Sequence, residues 1–238
     1  MNSSIADFVE CRPHKRNLEE ISDTSDSSKK LKSSWRSIKN ENLDLSYMSS
    51  FLNRTEARDA FICLENEVEY FTGDLAKVRV FGKWHDLPRQ QAAYGDRGLT
   101  YKFSGCTVPA ISWVPTLLKL KTRIEDITGY QYNFCLVNRY RSGNDSMGEH
   151  RDDEAELDPK TPIASVSLGE PRDFIFRHQD SRSKNSVRKI APVKMVLENG
   201  SLLLMNWPTN VYWFHSLPVR KKILGVRINL TFRRIIPK

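Results

Sequence analysis

The last predicted strand limits the possible folds of this chain more than any other stretch. Residues 225–234 read Gly-Val-Arg-Ile-Asn-Leu-Thr-Phe-Arg-Arg. A period of two puts Ile228, Leu230 and Phe232 on one face and Arg227, Asn229, Thr231 and Arg233 on the other. The first face is core. The second carries two guanidiniums, an amide and a hydroxyl, which are costly to bury unless a complementary group lies against them. Arginine pairs with carboxylates through bidentate, charge-assisted hydrogen bonds, so a dicarboxylate is the natural ligand of such a face. A solvent-facing strand is the alternative reading. Upstream, Phe134-Cys135-Leu136-Val137-Asn138-Arg139-Tyr140 repeats the device, with Asn138 and Tyr140 sharing one face.

Between these strands lies Gly148-Glu149-His150-Arg151-Asp152-Asp153-Glu154, and His215 follows it. On an extended backbone His150 and Asp152 leave the same face, and a later strand can bring up His215 as a third ligand. Two imidazoles and one carboxylate on one side of a metal leave the opposite positions open, as in non-haem Fe(II) oxygenases. A lone His-x-Asp pair is common, and Asp153 competes with Asp152, although the spacing favours Asp152. A Zn(II) hydrolase could use the same three ligands, but it would have no use for the Arg227 and Arg233 face. His14, His85 and His178 are not assigned to metal: His14 lies in the tail, and the other two lack a matching carboxylate partner.

In the order Asn138-x-Tyr140, His150-x-Asp152, His215 and Arg227-x-Asn229-x-Thr231-x-Arg233, the chain resembles the AlkB-like Fe(II)- and 2-oxoglutarate-dependent dioxygenases, in particular their DNA-repair branch. The resemblance runs from Trp35 to the C-terminus through Glu69-Tyr70-Phe71-Thr72-Gly73, Val80-Phe81-Gly82-Lys83-Trp84-His85 and Tyr101-Lys102-Phe103-Ser104-Gly105. It implies a mainly β (α+β) fold, a double-stranded β-helix or jelly roll with flanking helices and an N-terminal DNA-recognition hairpin region. His150, Asp152 and His215 would hold Fe(II). Asn138, Tyr140, Arg227, Thr231 and Arg233 would hold the carboxylates of 2-oxoglutarate, with Asn229 a weaker candidate. O₂ would be the oxidant and ascorbate the reductant. The substrate implied is 1-methyladenine or 3-methylcytosine in double-stranded DNA, demethylated with release of formaldehyde, succinate and CO₂. A single-stranded DNA or RNA demethylase of the same fold, or a non-catalytic reader of damaged DNA, are the other readings.

The same resemblance places the DNA contacts. Lys77 to Trp84 sets the apolar Phe81 beside Gly82 and among basic residues, consistent with a hairpin tip. An apolar wedge can fill the stack that a flipped base vacates, and Val80, Phe81 and Gly82 are implied as that wedge, next to Lys83. Tyr101, Phe103 and Ser104 are implied as the damaged-base pocket, and Asp153 and Glu154 would orient the flipped ring. Arg177 and Lys184 border a polar loop, and Arg220, Lys221 and Lys222 follow His215. Flexible cations of this kind suit phosphate contacts.

The rest of the chain sets the context. With 238 residues there is room for one domain and a tail, and a net charge of +8 points to a polyanionic partner. Residues 1–34 are Ser-rich and nearly without aromatics, a composition that cannot offset the entropy of ordering. They read as a disordered tail, with Lys15-Arg16 and Lys29-Lys30-Leu31-Lys32 as a bipartite nuclear import signal. Met1 to Phe8 does not resemble the sliding-clamp-binding peptide of family relatives, so clamp binding stays open. The domain spans 35–238, divided into a recognition and support region (35–131) and a catalytic jelly-roll core (132–238). Four cysteines without metal-ligand spacing read as reduced thiols, and no segment reads as spanning a membrane. The expectation is a nuclear monomer.

Within the support region, Thr55 can cap a helix with Ala57, Ala60, Phe61, Leu64 and Val68 on its apolar side. A second helix starts at Pro115 and ends at Gly129, with Leu117, Leu120, Ile124 and Ile127 on its buried stripe. Strands are predicted over 132–140, 162–168, 172–177, 190–197, 200–205, 211–216 and 225–234.

Overall fold

The alternating segments pair into two antiparallel sheets. The computed structural model describes residues 34–236 except 81, 104–105, 183–185 and 187, and the side chains at 79–80, 101–103 and 106–107 are not described. The tail with its basic clusters, up to residue 33, therefore lies outside the described residues. So do Phe81, Ser104 and Lys184.

In chain order, β1 (Arg36–Asn40) and β2 (Leu43–Met48) form a hairpin that leads into helix α1 (Arg54–Glu67). A second hairpin, β3 (Lys77–Val80) with β4 (Lys83–Asp86), is followed by β5 (Gln90–Gly95) and a third hairpin, β6 (Thr100–Phe103) with β7 (Cys106–Pro109). Helix α2 (Pro115–Thr128) precedes β8 (Phe134–Tyr140), β9 (Met147–His150), β10 (Ile163–Gly169), β11 (Arg172–His178), β12 (Val193–Leu197) and β13 (Ser201–Met205). The short helix α3 (Thr209–Tyr212) then leads to β14 (Trp213–Leu217) and β15 (Arg227–Arg233). Residues 211–212, expected to open a strand, belong to α3 instead.

The major sheet has the order β1-β2-β13-β10-β15-β8-β5 and the minor sheet β12-β11-β14-β9. The two face each other across shared apolar packing: Leu43, Leu45, Leu203 and Met205 of the major sheet meet Phe174, Phe176, Trp213 and Leu217 of the minor one. This is a jelly roll. The sequence alternation is clear only from Tyr132 onward, yet β1, β2 and β5 also join the major sheet. β5 gave no alternating signal because Gln91, Ala92, Ala93 and Tyr94 are all buried. A strand covered on both faces need not alternate.

Both helices pack on the outer face of the major sheet. Ala57, Ala60 and Leu64 of α1 and Leu117, Leu120 and Ile124 of α2 share a core with Val137, Ala164, Val166, Ile228, Leu230 and Phe232. Each large apolar side chain buried there contributes about 1.5–3 kcal/mol relative to exposure. Ile127, expected on the buried stripe, is 42 % exposed, and the stripe ends at Ile124. The left-handed Gly129 (φ 75°) closes α2, as the C-terminal glycine suggested.

The start of α1 differs from expectation for a chemical reason. Asn53, not Thr55, caps it: Asn53 Oδ1 accepts from the Glu56 N–H at 2.9 Å, and Glu56 Oε2 accepts from the Asn53 N–H at 2.8 Å. A capping box needs an acceptor side chain three residues on. Glu56 meets that need from Asn53, whereas from Thr55 the position falls on Arg58. Helix α2 has no side-chain cap of its own. Glu67 at the end of α1 supplies one, accepting from the Thr116 N–H (3.1 Å) and hydroxyl (2.8 Å).

At the end of the sandwich near Tyr140, two loops interlock. Buried Arg172 donates to the carbonyls of Ser142, Asp145 and Pro218 at 2.8–3.1 Å. Gly143 and Arg220 run so close that a Cβ on Gly143 would stand 1.8 Å from the Arg220 carbonyl oxygen. This clamp sets where Arg220, Lys221 and Lys222 emerge.

Candidate metal centre and co-substrate pocket

Strand register brings the first two ligands together. β9 pairs with β14 so that His150 stands directly opposite His215, and the two rings lie 4.2 Å apart, centroid to centroid. Asp152 follows two residues after the end of β9. His150, Asp152 and His215 each offer a ligand atom, all within 4.8 Å of one another.

The protonation states suit a cation. The Nδ1 of His150 sits 3.0 Å from the Gly148 carbonyl oxygen. That carbonyl can only accept, so Nδ1 carries a proton and Nε2, 3.7 Å from Asp152 Oδ1, is the ring nitrogen turned toward the other ligands. His215 is buried against Phe174 and Phe176. Burial, helped by the nearby His150, pushes its pKa down to about 3, so it is a neutral imidazole. Its Nδ1 is buried with no hydrogen-bond partner. Burial alone would raise the Asp152 carboxyl. Arg233, His215 and His150 beside it outweigh that and hold it well below the usual carboxylate range. Arg233 Nη2 donates to Asp152 Oδ2 at 2.8 Å, which leaves Oδ1 toward His150. Two imidazoles, that of His215 neutral, and an ionised carboxylate with converging ligand atoms fit Fe(II).

The polar face of β15 continues from this centre. Arg227, Asn229, Thr231 and Arg233 are all at least nine-tenths buried, so the solvent-facing alternative does not hold. Arg227 lies six residues from Arg233, roughly 20 Å along an extended strand, opposite Tyr140 of β8. Its Nη2 donates to Ser167 Oγ at 2.9 Å, while Nε and Nη1 are buried without partners. Burial lowers its pKa to about 10, so it is still charged at neutral pH. Buried N–H donors without acceptors mark a place for an anion. Asn229 is used internally: its Nδ2 donates to Ser165 Oγ (2.8 Å) and to the Val166 carbonyl (3.0 Å), tying β15 to β10. Thr231 Oγ1 lies 3.4 Å from Asn229 Oδ1. The Tyr140 hydroxyl donates to Met147 Sδ at 3.7 Å.

Sequence reasoning missed several residues of this pocket. Ser165 and Ser167 alternate along β10 and serve Asn229 and Arg227; small hydroxyl residues at period two were the available signal. Arg89 and Gln91 both donate to Asn138 Oδ1, at 2.9 and 2.8 Å. Neither carried a motif. A cavity of about 210 Å³ opens beside Asp152 and Arg233, lined also by Glu154, Met205, Trp207 and Val211.

The residues expected at DNA are dispersed. Val80 pairs with Lys83 across the β3–β4 turn, and Gly82 there has φ 80°, a left-handed conformation that favours glycine. The expected hairpin tip is present, and Lys83 is exposed on it. Tyr101 and Phe103 lie on β6, opposite Val108 and Cys106. Asp153 pairs with Arg151 at 3.0 Å. Arg177 pairs with Glu149 and Arg220 with Asp173, toward opposite ends of β11. Lys221 and Lys222 are exposed.

Residues 44–233 match the 2OG-Fe(II) oxygenase superfamily. The chain belongs to that superfamily. As a member it is a dioxygenase that uses Fe(II), 2-oxoglutarate and O₂. The DNA oxidative demethylase ALKBH2 of Homo sapiens is 57 % identical over 203 residues, 85 % of this chain and 77 % of that protein. The Mus musculus protein of the same name is 54 % identical over 231 residues, 95 % and 96 % of the two chains. The alpha-ketoglutarate-dependent dioxygenase alkB homolog 3 of Homo sapiens is 39 % identical over 155 residues, 64 % of this chain and 54 % of that one. Among solved structures, OsALKBH1 superposes with a TM-score of 0.53 over 80 % of this chain and 97 % of that one, at 20 % identity. That likeness supports the oxygenase jelly roll.

Proposed function

We propose that this oxygenase removes N-methyl groups from 1-methyladenine and 3-methylcytosine in double-stranded DNA, acting as a monomer in the nucleus. One observation carries the reading: the His150, Asp152 and His215 cluster adjoins a buried arginine face in a chain 57 % identical to a protein named as a DNA oxidative demethylase. Bound at the triad, Fe(II) would supply activation of O₂ coupled to decarboxylation of 2-oxoglutarate to succinate.

The chain's own residues hold and orient the reactants. The Gly148 carbonyl keeps the proton of His150 on Nδ1, and Arg233 keeps Asp152 ionised. Arg227 and Arg233, with Asn138, Tyr140 and Thr231, receive the carboxylates of 2-oxoglutarate. Asn229 steadies β15 rather than touching the ligand. On the DNA side, Val80, Phe81 and Gly82 form the wedge, Tyr101, Phe103 and Ser104 take the flipped base, and Asp153 and Glu154 orient it. Lys83, Lys184, Lys221 and Lys222 meet phosphates. Arg177 and Arg220 join them at the expense of their pairs with Glu149 and Asp173. With one oxygen atom of O₂ placed on it by that chemistry and the other taken up in succinate, the N-methyl carbon would leave as formaldehyde.

The net charge of +8 supports a polyanionic substrate, and the two basic clusters of the tail support nuclear import. Among the described residues no helix is long and apolar enough to cross a membrane. The reading is tested by mass spectrometry of a duplex oligonucleotide carrying one 1-methyladenine, incubated with and without 2-oxoglutarate, beside its single-stranded copy. Methyl loss only with 2-oxoglutarate, and faster on the duplex, is expected; no loss on either form would overturn it. Phe81→Ala should slow duplex repair about tenfold more than single-strand repair, the scale of one lost base-stacking contact. Equal losses on both would remove the wedge.

A further inference from the structure

The orientation of the Asn138 amide is dictated by its neighbours. Gln91, Asn138 and Asn229 stand in one cross-strand row over β5, β8 and β15. Asn138 Oδ1 accepts from Arg89 Nε and from Gln91 Nε2. A guanidinium can only donate, so the Asn138 atom that faces it is the carbonyl oxygen. With that oxygen engaged twice, Nδ2 is what Asn138 can offer a ligand. Gln91 is 3 % exposed, and its Oε1 is buried without a partner. An apolar side chain of similar size would fill the site without that cost, so packing does not explain a glutamine here.

We propose that Gln91 and Arg89 are positioning residues for 2-oxoglutarate: they hold Asn138 so that it presents a donor, Nδ2, and not an acceptor, Oδ1, to a carboxylate. The proposal rests on the reading above that Asn138 contacts the co-substrate. Arg89 is partly buried immediately before β5, and burial lowers its pKa. Gln91 acts from within the strand. Neither needs to touch the ligand.

The test is a calorimetric titration of 2-oxoglutarate into the full chain loaded with Mn(II), without turnover. The proteins compared are the wild type, Gln91→Leu, Gln91→Glu, Asn138→Ala and the double variant Gln91→Leu/Asn138→Ala. Asn138→Ala is expected to raise Kd about tenfold, the scale of one hydrogen bond to a charged group. Gln91→Leu should raise it several-fold on the same scale, and Gln91→Glu, which sets a carboxylate against Oδ1, should raise it more. Mn(II) affinity should stay unchanged in each. In the Asn138→Ala background Gln91→Leu should have no further effect, because the two act as one unit.

If Asn138→Ala weakens binding while the Gln91 variants bind as the wild type does, the inference is overturned. Equal losses from Gln91→Leu in both backgrounds would overturn it too. Unchanged binding by Asn138→Ala would overturn the underlying reading of Asn138 instead. Arg89→Met gives a second route, with the same expected direction and the same dependence on Asn138.

Discussion

The two sides of the major sheet are built from the same seven strands and packed differently. Toward α1 and α2, Val137, Val166, Ile228, Leu230 and Phe232 join an apolar core. Toward the minor sheet, apolar packing covers the β2 and β13 half. The β8, β10 and β15 half presents Asn138, Ser165, Ser167, Arg227, Asn229, Thr231 and Arg233, all buried. Three strands, β8, β10 and β15, take part in both. The apolar side supplies stability, since cavities there are costly. The polar side holds charge and donors that stability alone would replace with hydrocarbon. The difference supports the proposal that the polar half is a binding surface for a ligand.

Substitutions on each side should therefore separate stability from function. The largest effect is expected from His215→Ala, which should abolish Mn(II) binding in calorimetry and reduce demethylation to background. The fold should survive, because a buried neutral imidazole contributes little beyond packing; loss of the folded state would show instead that the triad is structural. Next in size, Leu230→Ala on the apolar side should cost about 3 kcal/mol in urea denaturation and leave the 2-oxoglutarate Kd as it was. A large change in that Kd would blur the division between the two sides. Smallest, Asn53→Ala removes the capping box of α1 and should cost about 1 kcal/mol with no effect on turnover.

Much of the site was legible in the sequence because it follows local periodicity. Alternation alone sorts β15 into its two faces. Pro115 and Gly129 bracket α2 through their backbone restrictions. What could not be read is long-range. The pairing of His150 with His215 depends on β9 and β14 meeting in register, and nothing local to either histidine encodes that. No motif marks Gln91, because its position beside Asn138 arises only across a strand pair. Asn229 shows the converse: its position in the pattern suggested a ligand contact, while the neighbouring Ser165 and Val166 carbonyl take up its amide. Thr55 has a capping side chain, but the capping box needs Glu56 three residues on, and Asn53 is the residue that has it there.

The division between the two sides is tested most directly at Arg227, whose Nε and Nη1 are buried without partners. Arg227→Met keeps the length of the side chain and removes the charge. Calorimetric titration of 2-oxoglutarate into the Mn(II)-loaded variant should show affinity reduced by about a hundredfold, the scale of a buried charge pair. The unfolding free energy of the ligand-free protein should be unchanged or raised, because a poorly paired buried charge has been removed. Unchanged 2-oxoglutarate affinity together with a less stable ligand-free protein would contradict this, and would make the polar face of β15 part of the scaffold.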